Sequence, residues 1–183
     1  VPLTPCSVKY MLLSCRRLVL ALLLSGTTLS VTACATSPTD DRSASVGDPV
    51  LTADQLRDVY RNEAEHFAEP LPDGVTLPRD APSSLRSAGQ RGTALGAIYF
   101  YWLCAWERDY LEGIDAGDEP TAERALTELA RWPTLPFTRQ YVDDPEQGWE
   151  RDVLAPTRLG DPSGVRSDFA GSCPSVLGSN GAP

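Results

Sequence analysis

Histidine is nearly missing from this 183-residue chain. His66 is the only one, which excludes any single-chain site that needs two imidazoles. Lysine and methionine also occur once each, as Lys9 and Met11. No glycine-rich phosphate loop and no Gly-x-Ser-x-Gly nucleophile elbow is present, so the commonest nucleotide and hydrolase signatures are absent. Apolar and polar residues rarely alternate with the period of a strand. Positive charge is scarce: 16 basic residues stand against 25 acidic ones, a formal net charge of −9. A nucleic-acid binder needs a basic face to neutralise phosphates, so that class is excluded as well. The length suits one domain, and mean hydropathy of −0.22 fits a chain that is neither disordered throughout nor multispanning.

The first third carries an ordered series of signals. Arg16 and Arg17 are followed by the apolar run Leu18-Val19-Leu20-Ala21-Leu22-Leu23-Leu24, then by small residues leading to Val31-Thr32-Ala33-Cys34. The apolar run is short of the roughly 20 residues that cross a bilayer, so an export signal is the better reading than an anchor helix. Val31-Thr32-Ala33-Cys34 resembles the lipobox of bacterial lipoproteins, an aliphatic residue and two small ones before a cysteine, with valine where leucine is commoner. The resemblance covers Met11 to Cys34 only. It implies a signal peptide over 11–33, lipid attachment at Cys34, and a protein held at the extracytoplasmic face of the cell membrane. Acyl chains at that cysteine would then be the membrane contact. A plain signal cut near Ala33 is the alternative. Residues 1–10, upstream of Met11, read as an extension before the true start.

Cleavage at Cys34 would leave thirteen basic residues, all arginine, and the full 25 carboxylates. Residues 34–49 are rich in Ser, Thr, Asp and Pro and read as a flexible tether. Residues 50–173 read as the folded domain, and 174–183 as a flexible tail.

Within the domain the patterns are helical. Thr52 and Gln55 form a capping box, and Leu56, Val59, Tyr60, Ala64 and Phe67 share one face. Four prolines in the segment from Glu69 through Pro82 predict an extended connection. Residues 87–112 predict a central buried helix with two apolar stripes. Leu95, Ile98, Trp102 and Trp106 lie on one, and Ala97, Phe100, Cys104 and Leu111 on the other. Gly89, Gly92 and Gly96 on a third face predict close approach of a neighbouring backbone. A third helix is expected with Pro120 as its first residue, then a proline-broken segment over 133–142. A short helix follows Pro145, and a last one runs from Asp161-Pro162 to Phe169. The expected fold is all-α: four to five helices around the central one, with long proline-rich loops.

Three constellations carry candidate chemistry. Glu63-x-x-His66 has the spacing of a di-iron ligand pair, but one copy per chain leaves it two solvated residues on a helix surface. Glu107 and Asp109 follow the aromatic run. By helical angle Asp109 lands in the Leu95, Trp102 and Trp106 stripe, where a carboxylate has a raised pKa unless an arginine or a backbone amide engages it, and Asp109 or Glu107 would be the catalyst of an envelope hydrolase. Tyr99 to Trp102, Trp106 and Tyr110 read first as core, and second as a groove on which sugar rings would stack. Cys6 and Cys15 precede the lipobox and Cys34 is its cysteine, so Cys104 and Cys173 are left to pair in an oxidising compartment. Two buried free thiols are the other reading.

These features point to a lipid-anchored extracytoplasmic protein with a helical binding or interaction domain. Its partner would be an envelope protein or a glycan. No metal, cofactor or catalytic set is indicated, and the hydrolase is the rival.

Overall fold

A computed structural model describes residues 48–178. The expected signal peptide at 11–33, Cys34 and nearly all of the expected tether lie outside the described residues, as does the end of the expected tail from 179. The fold is all-α. Helices α1 (Ala53–Glu65), α2 (Arg91–Ala116), α3 (Glu119–Leu129) and α4 (Pro136–Tyr141) come first. A π-helical turn, Trp149–Leu154, runs into the single turn α5 (Ala155–Arg158), and α6 (Ser163–Leu177) closes the domain. Among the described residues the one extended pairing is an isolated bridge between Leu51 and Gly89.

Helix α1 starts as its sequence demands. Thr52 Oγ1 accepts the Gln55 amide at 3.3 Å, and Gln55 Oε1 accepts the Thr52 amide at 2.8 Å. Leu56 and Tyr60 bury its inner face with Leu85, Ala94 and Ile98. Helix α2 is the central element. Trp102, Cys104, Ala105, Trp106 and Tyr110 are buried, and α1, α3 and α6 all pack on it.

The helix begins at Arg91, four residues later than the pattern suggests, because Gly89 is held instead in the bridge to Leu51 (2.8 and 3.0 Å). The glycine face also meets something other than backbone: a Cβ at Gly92 would strike the Tyr141 ring at 2.6 Å, and one at Gly96 would touch Phe137. The close backbone approach lies at the other end of the helix. There a Cβ on Gly113 would come within 2.9 Å of the Ala122 amide nitrogen on α3. Gly117 takes the left-handed conformation (φ +70°) that ends α2, and Asp118 caps α3. Helix α3 therefore opens at Glu119, with Pro120 its second residue and not its first.

Two segments are more ordered than expected. Residues 136–141 form α4 within the proline-broken stretch, because Leu135-Pro136 is a helix start and not a break. Helix α6 passes Phe169 and runs to Leu177 through Pro174, so the first part of the expected tail is helical. At the other end Asp48, placed in the tether by composition, accepts the Tyr141 hydroxyl at 3.3 Å.

The polar tips of the aromatic set fasten the proline-rich connection. Trp102 Nε1 and Trp106 Nε1 both donate to the Pro70 carbonyl (2.6 and 3.0 Å), Tyr60 donates to Pro78 (2.8 Å) and Tyr101 to Thr76 (3.2 Å). Proline supplies no amide, so such a loop has spare carbonyls. Buried indoles and phenols need acceptors, and each group satisfies the other.

Candidate functional site

An open cleft of about 870 Å³ lies between the middle of α2, α4, the π-helical turn and α6. That volume falls in the range of small-ligand sites. Its position follows from three local features.

The first is the turn before the π-helical segment. Asp144 accepts the amides of Gly148 (2.7 Å) and Trp149 (3.2 Å) through its two carboxylate oxygens. Gln147 adopts φ +53° to complete the bend. This brings Trp149 against Trp132, with ring centroids 6.4 Å apart. The second is the closeness of α6: Gly164 lies so near the Asp152 carbonyl that a Cβ there would collide with it. The third is the link between α2 and α6. The Sγ atoms of Cys104 and Cys173 lie at disulfide distance, 2.09 Å, with Cα atoms 5.3 Å apart. The pairing expected from cysteine arithmetic is therefore the one the fold presents.

Aromatic rings make the floor. Phe100 is 39% exposed and sits 5.3 Å, centroid to centroid, from the buried Trp132, with Trp149 beyond it. Asp143, Asp144, Glu150, Asp152 and Asp168 stand on the walls with Arg139. Two buried polar atoms of the lining, Thr138 Oγ1 and Trp149 Nε1, have no hydrogen-bond partner. Buried donors and acceptors are nearly always satisfied, and these two atoms, themselves shut off from solvent, stand out on that wall as exceptions.

Glu107 lies behind this wall and is fully buried. Its Oε2 is 3.0 Å from Cys173 Sγ and its Oε1 has no partner. Burial first, and then the neighbouring negative charge of Asp168, push its carboxyl up to about 10. The group is therefore neutral at pH 7. Cys104, Cys173 and Glu107 bring potential metal-ligating atoms within 4.8 Å of one another. With the two sulfurs joined to each other, neither is a thiolate that could hold an ion.

Asp109 is elsewhere. Its Oδ2 stands 3.5 Å from Arg124 Nη2, an ion pair without hydrogen-bond alignment, and Arg124 also bonds Asp73 at 2.9 Å. The three residues clasp α2, α3 and the proline-rich loop together. The Glu63-x-x-His66 pair is likewise divided. His66 is exposed, with Nδ1 2.8 Å from the Asn62 carbonyl, while Glu63 pairs with Arg91.

Of the residues singled out in the sequence, Phe100 and Cys104 reach the cleft, Glu107 lies behind it, and Asp109 and His66 lie away from it. Thr138 and Asp168 went unnoticed because neither belongs to a local motif. Comparison with family models, curated proteins and solved structures gives no match for this chain.

Proposed function

We propose that the protein is an extracytoplasmic lipoprotein, anchored through Cys34, whose helical domain binds a cell-envelope glycan in the cleft between α2, α4 and α6. The cleft carries this reading. It combines an aromatic floor, exposed at Phe100, with carboxylates that accept from sugar hydroxyls. Stacking of ring faces with hydrogen bonds at the edges is how aromatic side chains that keep a polar tip bind amphipathic rings. Anchoring is supported by the Met11 to Cys34 signal. Among the described residues no helix is long and apolar enough to cross a membrane.

Binding is favoured over hydrolysis by where the two candidate acids lie. Glu107 has no exposed surface to touch a substrate, and Asp109 is in the Arg124 clasp, away from the cleft. A titration of the full chain in detergent micelles, followed through its four tryptophan indole N–H resonances, tests the reading. Envelope glycan fragments should shift the Trp149 signal and leave those of Trp102 and Trp106, bonded to Pro70, in place. Shifts confined to Trp102 and Trp106 would overturn it.

A further inference from the structure

The charges of the cleft are lopsided. Five carboxylates line it against one guanidinium, Arg139. Two of the five are neutralised from outside the cleft, Asp152 by Arg151 and Glu150 by Arg158. Asp144 spends its oxygens on two backbone amides, which leave it a full negative charge. Asp143 and Asp168 have no ion-pair partner among the described residues. Three anionic groups therefore face one cation around an apolar, aromatic floor.

A neutral sugar gains little from that field. A ligand carrying ammonium groups gains from it twice. Carboxylates attract the charge where the low-dielectric floor focuses it, and the faces of Phe100 and Trp149 attract a cation through their quadrupoles. Thr138, 8% exposed as a residue, adds a hydroxyl with no partner to the same wall. Glu107, held neutral behind the wall, adds no charge of its own to this field.

Resting on the glycan reading above, we infer that the cleft selects amino sugars whose nitrogens are free and protonated, such as de-N-acetylated envelope glycan, over their N-acetylated forms. Acetylation removes the charge and sets a bulky neutral amide in its place, which forfeits both attractions.

The test compares β-1,4-linked glucosamine oligomers with the matching N-acetylglucosamine oligomers, titrated into the full chain in non-ionic micelles. The amine-bearing oligomers should bind at least tenfold more tightly, and the advantage should shrink as salt is raised. A D143N/D168N double variant should lose most of that preference. Phe100→Ala should weaken both oligomers alike. Equal affinity for the two oligomers, or preference for the acetylated one, overturns the charge selection and leaves the glycan cleft standing. Binding of neither oligomer overturns the selection together with the reading beneath it. A preference that survives in D143N/D168N assigns it to other groups and overturns the role given to these two.

Discussion

Glu107 on α2 and Cys173 on α6 touch: the carboxyl Oε2 is 3.0 Å from the sulfur, with no water-accessible surface on either residue. A disulfide sulfur carries no hydrogen, so the protonated carboxyl is the donor. The contact ties the protonation state of the domain to the seam between its central and last helices.

A pH dependence follows. The Glu107 carboxyl is raised from about 4.5 in the unfolded chain to about 10 in the folded one. Between those limits the native state holds a proton that the unfolded state has released. Stability from this group is complete below the lower value and is lost as pH rises through the upper one. The slope is about 1.4 kcal/mol per pH unit for one proton. Denaturant titrations from pH 5 to 9 should show that fall in the wild type and a flatter profile in Glu107→Gln. Parallel profiles would contradict it. Asp115 works in the opposite sense at acid pH, since its hydrogen bond to Arg166 holds its carboxyl low.

The Cys104–Cys173 link closes a loop of 69 residues. The chain-entropy relation gives about 4 kcal/mol for a loop of that length. Alkylation under denaturing, non-reducing conditions should leave both thiols unmodified by intact mass, and reduction should lower the melting temperature by roughly 10 °C or more. Two alkylated cysteines without reductant would end this claim.

Trp102 has no exposed surface and anchors Pro70 through its indole. Trp102→Ala should cost about 3–5 kcal/mol in chemical denaturation. Phe100→Ala, at a ring that is 39% exposed, should cost far less. A Trp102 variant with wild-type stability but no glycan binding would move that ring from the core to the site.

Cys34 is expected to carry the lipid. Metabolic labelling with a fatty-acid analogue should mark the wild-type protein and not Cys34→Ala, which should also leave the membrane fraction. Equal labelling of the two would sink the lipobox reading.

Much of the architecture was legible because it is written locally. The Thr52–Gln55 capping box, the apolar stripes of α2 and, to within one residue, the start of α3 at Glu119-Pro120 depend on spacings within one or two turns. The disulfide was legible by elimination. Helix α4 was hidden because proline breaks a helix in its interior but opens one at its start, and the sequence around Pro136 does not say which. The site was less legible. The cleft joins Phe100, Thr138, Trp149 and Asp168 from four elements, and nothing local links them. A raised pKa was expected at Asp109 by helical angle, and the structure places it at Glu107 instead, two residues earlier. The burial of Glu107 behind the disulfide, which removes it from substrate, depends on α6, whose weak apolar face gives no register.

The most direct test of the account is the affinity of the full chain for solubilised envelope glycan, measured by calorimetry in micelles for the wild type and Phe100→Ala together with their melting temperatures. Phe100 is the exposed ring of the cleft floor. The account predicts measurable binding by the wild type, at least tenfold weaker binding by the variant, and melting temperatures within a few degrees of each other. Equal affinities for the two proteins, or no binding by the wild type, would contradict it.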